Sequence, residues 1–157
     1  MTVEIAERRL HDAWRECGRH MHHMRHALED LDPKVPLNGS ELEKFDDDTV
    51  QVLDQFVLRF GKLQDAIGSR LLPAVLAYLQ EPYEDRPMLD KLNRLEKLGY
   101  VPSAQRWQEL RAIRNGFAHE YPDDPEKNAA FLNLAVASVK DLEALLTRIG
   151  EKLDLPH

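Results

Sequence analysis

Apolar residues recur at steps of three and four along most of the chain, which is the spacing that places them on one face of an α-helix. The first such stripe predicts a helix over residues 1–32, from about Val3 to Leu31. Its members are Leu10, Trp14, Cys17, Met21, Met24, Leu28 and Leu31. We expect this helix to end at Asp32, because Pro33 disfavours helical geometry in the residue before it.

Long helices are also predicted over residues 40–80. Ser40 and Glu43 have the spacing of a capping box, and the acidic run 46–48 suits the first turn of a second helix. That helix carries the clearest apolar stripe in the chain, formed by Val50, Leu53, Phe56, Phe60, Leu63 and Ile67. Gly68 predicts a break or bend before the last helix of this region.

A third region, residues 88–121, and a final helix over 125–153 complete the pattern. Gly99 predicts the end of a short helix, and Ser103 is expected to cap the helix that follows. No stretch shows the alternation with a period of two that marks a β-strand. The chain therefore predicts a single all-α domain, residues 1–157, built as an up-and-down bundle of five or six helices.

Composition excludes several classes of protein. The chain has 157 residues, of which 43% are hydrophobic and 31% are charged, as in a folded domain. No apolar run approaches the roughly 20 residues of a membrane span, and the N-terminal residues lack the order of a secretory signal. The single cysteine, Cys17, cannot form an internal disulfide or a cysteine-based zinc site. We therefore expect a cytoplasmic protein without membrane contact.

The charge is unevenly distributed. A net charge of −7 argues against a general nucleic-acid coat. Residues Arg86–Arg114 differ, because they include seven basic side chains and only three acidic ones. The next segment, Asn115–Lys127, is net negative. A nucleic-acid site would thus be confined to one patch, and an ordinary solvated surface explains the same charges equally well.

The densest group of chemically capable side chains lies in residues 111–121. Within it, the pattern Arg114-Asn115-x-x-x-His119-x-Tyr121 resembles the signature of the HEPN superfamily, and in particular of HepT-like toxins. The predicted all-α layout, with a long helix after the motif, is similar to that family too. The resemblance implies a dimeric HEPN-like fold and a metal-independent endoribonuclease, the toxin component of a bacterial toxin–antitoxin pair.

These residue types suit RNA cleavage without a metal or an organic cofactor. His119 can take the proton from a 2′-hydroxyl or protonate the leaving oxygen, because imidazole titrates near neutral pH. Arg114 can stabilise the charge that builds on the phosphate, and Asn115 can position the phosphate or the arginine. The alternatives are a structural Arg114 paired with a carboxylate, and a His119 that only complements the helix dipole.

Helix geometry constrains how these two residues cooperate. On one regular helix, Arg114 and His119 point about 140° apart. Either Gly116 lets the helix distort, or two copies of the motif face each other. HEPN-like proteins resemble the second case, with the motif lining a cleft between two subunits, so we expect a homodimer.

Tyr121 has two interpretations. Considered without the motif, Tyr121 is best interpreted as a packing side chain with a solvated hydroxyl. In HepT-like toxins the matching tyrosine receives AMP from a MntA-like nucleotidyltransferase antitoxin, so the resemblance implies this modification and this partner. The added phosphate would repel RNA from the site.

Three further residues are candidates for supporting roles. Arg111 belongs to the motif-bearing segment, and Asp65 and Lys62 belong to the long central helix. Asp65 could orient Arg114 across the bundle, and Lys62 could contact RNA. Ordinary surface ion pairs are the alternative.

The histidine-rich segment 20–26 carries a weaker signal. His22 and His26 are four residues apart, which is a metal-ligand spacing on a helix. No cysteine or well-placed acid completes a tetrahedral site, so we predict a solvated face and no metal.

Two other hypotheses compete with the ribonuclease. One is a non-catalytic helical partner, or substrate-binding subunit, of a nucleotidyltransferase; the other is an unrelated helical scaffold in which the motif is coincidental. The joint presence of Arg, Asn, His and Tyr favours the enzyme. The acidic residues Glu120, Asp123 and Asp124 favour the alternatives, because they oppose the approach of RNA.

Overall fold

The computed structural model describes residues 2–118 and 121–156, and these contain helices, turns and loops but no β-strand. The all-α prediction is therefore confirmed for this part of the chain. The helices are α1 (Val3–Leu31), α2 (Gly39–Glu43), α3 (Asp47–Ala66), α4 (Leu72–Tyr78), α5 (Met88–Lys97), α6 (Ala104–Ala118) and α7 (Pro125–Leu153). None of them is long and apolar enough to cross a membrane.

The longest helices bury most of the stripes that the sequence predicts, although Val50, the first residue of the α3 stripe, is exposed. Helix α1 begins where the Thr2 hydroxyl accepts a hydrogen bond from the Ile5 amide, at 3.2 Å. It packs along α3, which places Phe56 and Phe60 in the fully buried core. The core continues through α4, α5, α6 and α7 as one connected cluster.

The expected break or bend at Gly68 coincides with a change in helix type. Regular α-helix ends at Ala66, residues Ile67–Leu71 form a π-helical turn, and α4 begins at Leu72. A Cβ atom added to Gly68 would lie 3.3 Å from the Trp107 ring of α6. The glycine therefore also allows a neighbouring helix to approach closely.

The predicted capping box at Ser40 is wrong by two residues. The Asn38 side chain accepts from the Glu41 amide at 2.8 Å, and the Glu41 carboxylate accepts from the Asn38 amide at 3.1 Å. Ser40 therefore lies inside α2. Asparagine is as good an N-cap as serine, so the earlier of two possible boxes starts the helix.

Three other predicted helix ends agree with the structure. Asp46 caps α3 by accepting from the Thr49 amide at 2.8 Å, and Ser103 accepts from the Arg106 amide at the start of α6 at 3.0 Å. Gly99, after α5, has a φ of 86°, which a glycine adopts without strain.

Helix α7 is attached to the loops on either side of it by two asparagine side chains. The Asn133 amide group both donates to and accepts from the backbone of Leu37, each at 2.8 Å. Asn128 makes the same reciprocal pair with the backbone of Tyr121, at 2.8 and 3.2 Å. In both loops, one asparagine side chain of α7 satisfies the backbone N–H and the carbonyl of a single loop residue.

The packing of α6 against α7 requires a glycine at position 116. A Cβ atom built on Gly116 would overlap the ring of Phe131. Phe131 in turn lies 6.5 Å from the Phe117 ring and 6.2 Å from the Tyr121 ring, measured between centroids. Gly116 therefore serves a close approach between helices, and α6 remains helical through Ala118.

We expect Gly116→Ala to lower the free energy of unfolding by about 1–3 kcal/mol, because the added methyl group overpacks the contact with Phe131. Gly18→Ala is the matched control, since nothing lies within 4 Å of its added Cβ. That variant should gain about 0.5–1 kcal/mol through helix propensity. Urea denaturation of the two variants checks this, and equal stability would contradict the role given to Gly116.

Candidate functional site

One carboxylate on α3 binds two arginines on α6. Asp65 accepts from Arg111 Nη1 at 2.9 Å through one oxygen and from Arg114 Nη2 at 3.0 Å through the other. The three side chains are partly exposed, at 42% for Asp65 and 34% and 29% for the arginines. Arg114 lies one turn after Arg111 on α6, so a single acid can reach both. The contact from Asp65 to Arg114 that the sequence suggested is present.

A buried amide beside Asp65 ties the same two helices. Gln64 is fully buried, and its side-chain amide donates to the Leu110 carbonyl at 3.0 Å. Sequence reasoning missed this residue. The sequence does indicate that Gln64 is buried, because it lies four residues after Phe60 and three before Ile67, on the same helix face as these core residues.

Arg114 lies against α3 at Gly61. A Cβ atom added to Gly61 would be 3.8 Å from Arg114 Nε, which is an ordinary contact distance. This Nε is buried and has no hydrogen-bond partner within residues 2–118 and 121–156. A shallow cavity of about 210 Å³ opens here, and the exposed Lys62 lines it together with Asp65 and Arg114.

The charge state of Asp65 follows from these contacts. Partial burial raises the pKa of this carboxyl, but the hydrogen bonds from Arg111 and Arg114 outweigh it and hold the pKa below its ordinary value. Asp65 is therefore ionised at neutral pH. The two guanidinium groups and the Asp65 carboxylate together carry a net charge of +1, and the nearby Lys62 adds a second positive charge.

Most of the excess positive charge in Arg86–Arg114 is compensated by acids. Arg94 donates two hydrogen bonds to Glu81, and Arg106 contacts Asp141 at 2.7 Å. Arg106 also pairs with Glu109 and Arg86 with Asp90. Lys97 of this segment is exposed on α5, whereas the two cations that lie together beside the motif are Arg111 and Arg114, the pair on Asp65.

The remaining motif residues are only partly described. Asn115 is exposed on α6, next to Arg114 in the chain. His119 lies outside the described residues, as does Glu120. Tyr121 follows the described end of α6, so the structure does not continue the predicted helix to that residue.

Tyr121 is held by its backbone and its ring. Asn128 fixes the backbone, Phe131 stacks on one side of the ring, and Lys127 Nζ lies 4.1 Å from the ring centroid. The side chain is half-buried. Stacking and the cation contact orient an aromatic ring without using its hydroxyl.

The histidine-rich segment divides into one buried and several exposed side chains. His20 is 8% exposed, which corrects the prediction of a uniformly solvated face. Its Nδ1 accepts from Arg59 at 3.1 Å, and its Nε2 donates to Glu16 at 3.2 Å, since a guanidinium has no acceptor atom. Glu16 also pairs with Arg70. Within the described ranges, no three histidine, cysteine or acidic side chains form a metal-binding group.

We expect Asp65→Asn to lower the free energy of unfolding at pH 7 by about 0.5–1 kcal/mol, because two half-exposed ion pairs are lost. A carboxyl with a depressed pKa stabilises the fold above its unfolded pKa, and this contribution disappears as the pH falls through the lower folded value. The difference in unfolding free energy between the parent and Asp65→Asn should therefore shrink as the pH falls below 3.8, the ordinary pKa of an aspartate carboxyl.

Urea unfolding of both proteins between pH 7 and pH 3 measures this gap. Asp54→Asn, an exposed acid of the same helix, is the matched control and should change little. A gap for Asp65→Asn that stays constant over this range would show that the carboxylate charge is not what holds the arginines.

Comparison with known proteins leaves the site to be interpreted from its own geometry. No protein-family model matches the chain, and neither a curated protein nor a solved structure matches it. The α3–α6 junction, the motif residues and the charges around them are therefore the features that bear on function.

Proposed function

We propose that this chain is a metal-independent endoribonuclease of the HEPN type, the toxin component of a bacterial toxin–antitoxin pair. The observation that supports the proposal most is the pairing of Arg111 and Arg114 on one carboxylate, beside the exposed Lys62. This arrangement orients two guanidinium groups and retains net positive charge, which suits a phosphodiester. The signature that contains Arg114 supplies the rest of the argument.

In the proposed reaction, the 2′-oxygen of the RNA attacks the neighbouring phosphorus, and the bond from phosphorus to the 5′-oxygen breaks. His119 removes the proton from the 2′-hydroxyl or delivers one to the departing 5′-oxygen, and a water molecule carries out the other proton transfer. Arg114 stabilises the negative charge on the phosphate, and Asn115 positions the phosphate or the arginine. No metal or organic cofactor takes part in this scheme.

A homodimer completes the proposed site. On a regular helix the motif histidine and arginine point apart, so one subunit would supply Arg114 and the other His119. The shallow cavity beside Gly61 is the face that we propose for this contact, since Arg114 and Lys62 both line it. The HEPN-like arrangement of helices is part of the same proposal.

The partner that belongs to this proposal is a MntA-like nucleotidyltransferase, which would regulate the ribonuclease by transferring AMP to it. The acceptor would be Tyr121, whose backbone and ring are already fixed. An AMP group there would place negative charge beside the arginines and repel RNA. ATP and magnesium would belong to the transferase, and both proteins would act in the cytoplasm.

A second function is favoured by the acid compensation around the motif. Because Asp65 neutralises part of the charge of Arg111 and Arg114, the chain could serve as a non-catalytic helical partner or substrate-binding subunit of a nucleotidyltransferase. In that case the ion pairs join α3 to α6 and RNA is never bound. Cleavage assays separate the two functions.

We expect the purified protein to cleave transfer RNA or messenger RNA in the presence of EDTA and to leave 2′,3′-cyclic phosphate ends. His119→Ala should reduce the rate at least about 100-fold, because it removes the general acid or base. Arg114→Ala should reduce it by about 100- to 1,000-fold through lost charge stabilisation. Gel electrophoresis of end-labelled RNA measures both rates.

Arg106→Ala is the matched control for these variants. Arg106 lies on the same helix and is also paired with carboxylates, so the substitution perturbs a similar ion pair away from the site. It should retain cleavage. Equal traces for the parent, His119→Ala and Arg114→Ala would reject the ribonuclease and favour the non-catalytic partner.

We expect sedimentation equilibrium to give twice the chain mass of 18.2 kDa. Gly61→Tyr should yield a monomer that no longer cleaves RNA, because its ring would fill the contact face while the added Cβ is tolerated. Gly18→Tyr, on the open face of α1, is the control and should remain dimeric. A monomeric parent protein would contradict the shared site.

A further inference from the structure

An apolar groove lies between α3 and the start of α7, beside the motif. Its volume is about 610 Å³, which is in the range of ligand-binding clefts. Val50, Leu53, Val57 and Leu58 form the α3 wall, and Phe131 contributes to the α7 wall. Two of the α3 residues are strongly exposed, Leu58 at 48% and Val50 at 39%.

The shape of the groove suits a helix. From Val50 to Leu58 its α3 wall extends about 12 Å, which is a little more than two helical turns. Side chains at positions i, i+3 or i+4, and i+7 of a bound helix would reach along this length. The described residues include no β-strand whose edge could pair with an extended peptide.

The rim of the groove is acidic. Glu43 and Asp54 line it directly, and both are exposed. The segment 41–54, which includes the α2 wall and the first part of the α3 wall, contains six acidic residues and a single basic one, Lys44. The segment 122–128 on the opposite side contains three acidic residues and one lysine.

These two segments account for the entire charge imbalance of the chain. Of the 28 acidic and 21 basic residues, 9 acidic and 2 basic residues lie in them, which leaves 19 of each elsewhere. The net charge of −7 is thus concentrated in the two segments that contribute residues to the groove walls. An acidic rim around an apolar groove favours a partner that is both basic and apolar, because opposite charges attract and like charges repel.

We propose that this groove binds a basic amphipathic helix of a partner protein. The apolar face of that helix would cover Leu58 and Val50, and its flanking lysines and arginines would face Asp54 and Glu43. An anionic lipid surface and a nucleic acid are disfavoured by the acidic rim. A second copy of this chain is disfavoured as well, because a symmetric contact would bring two acidic rims together.

The groove also borders the candidate site. Val57, Leu58 and Phe117 line both the groove and the shallow cavity that contains Arg114. A bound helix would therefore lie next to the arginine pair. Binding of the helix is nevertheless independent of RNA cleavage, so the inference holds for either of the proposed functions.

The probe is a synthetic 18-residue peptide with leucines at i, i+3, i+7 and lysines flanking them, compared with one that has glutamates in place of the lysines. Fluorescence anisotropy with the full chain and no RNA measures both. The basic peptide should bind at least about tenfold more tightly than the acidic one, and its affinity should fall as added salt screens the rim.

Leu58→Gln should weaken binding of the basic peptide about tenfold, because one leucine contact is lost. Asp54→Asn should weaken it about threefold and reduce the salt dependence. Leu89→Gln is the matched control: Leu89 is 50% exposed on α5, away from the groove, and its substitution should leave binding unchanged.

Three outcomes would overturn the proposal. The first is equal affinity for the two peptides, and the second is equal weakening by Leu58→Gln and Leu89→Gln. The third is a change of mass in sedimentation for Val50→Gln without peptide, combined with no peptide binding by the parent; because Val50 lines the groove and not the shallow cavity proposed for the dimer, this result would assign the groove to a second copy. His119→Ala should bind the basic peptide as the parent does, which separates this test from the ribonuclease.

Discussion

The junction between α3 and α6 is the contact on which the candidate site depends. Two consecutive residues of α3 fix one stretch of α6: Gln64 binds the Leu110 carbonyl in the core, and Asp65 binds Arg111 and Arg114 at the surface. The buried bond favours this register of the helices, because an unpaired Gln64 side-chain nitrogen in the core would cost free energy. The orientation of the arginines follows from that register.

The electrostatics of the molecule are organised by pairing. Arginines such as Arg94 and Arg106 are compensated by acids from other elements, so sequence charge overstates the basic surface that is open to a ligand. Beside the motif, Arg114 and Lys62 form a small positive centre next to an acidic groove. A partner for one of these surfaces would be rejected by the other, since their charges are opposite.

Glycines at helix interfaces shape this region more than the caps do. Gly116 allows Phe131 to pack on the backbone of α6, and Phe131 then contacts the ring of Tyr121. Gly61 leaves room for Arg114 against α3. Small residues at these positions bring Arg114, Tyr121 and the groove close together through Phe117 and Phe131.

The sequence by itself determined where most helices lie, because helix periodicity and caps depend on residues a few positions apart. The bounds of α1 and the acidic start of α3 followed from such local patterns. The motif and Asp65 could also be selected as candidates from residue types alone. A local signal can mislead where two starts compete, as at Ser40, where the cap is Asn38.

Only the tertiary structure decided which of these residues meet. Gln64 and Leu110 are 46 positions apart in the chain, and Asp65 and Arg114 are 49 apart. Such long separations produce no repeating pattern in the sequence, because the packing of whole helices decides which distant residues meet. The same holds for Gly68, which reads as a helix breaker in the sequence and is a contact point for Trp107 in the fold.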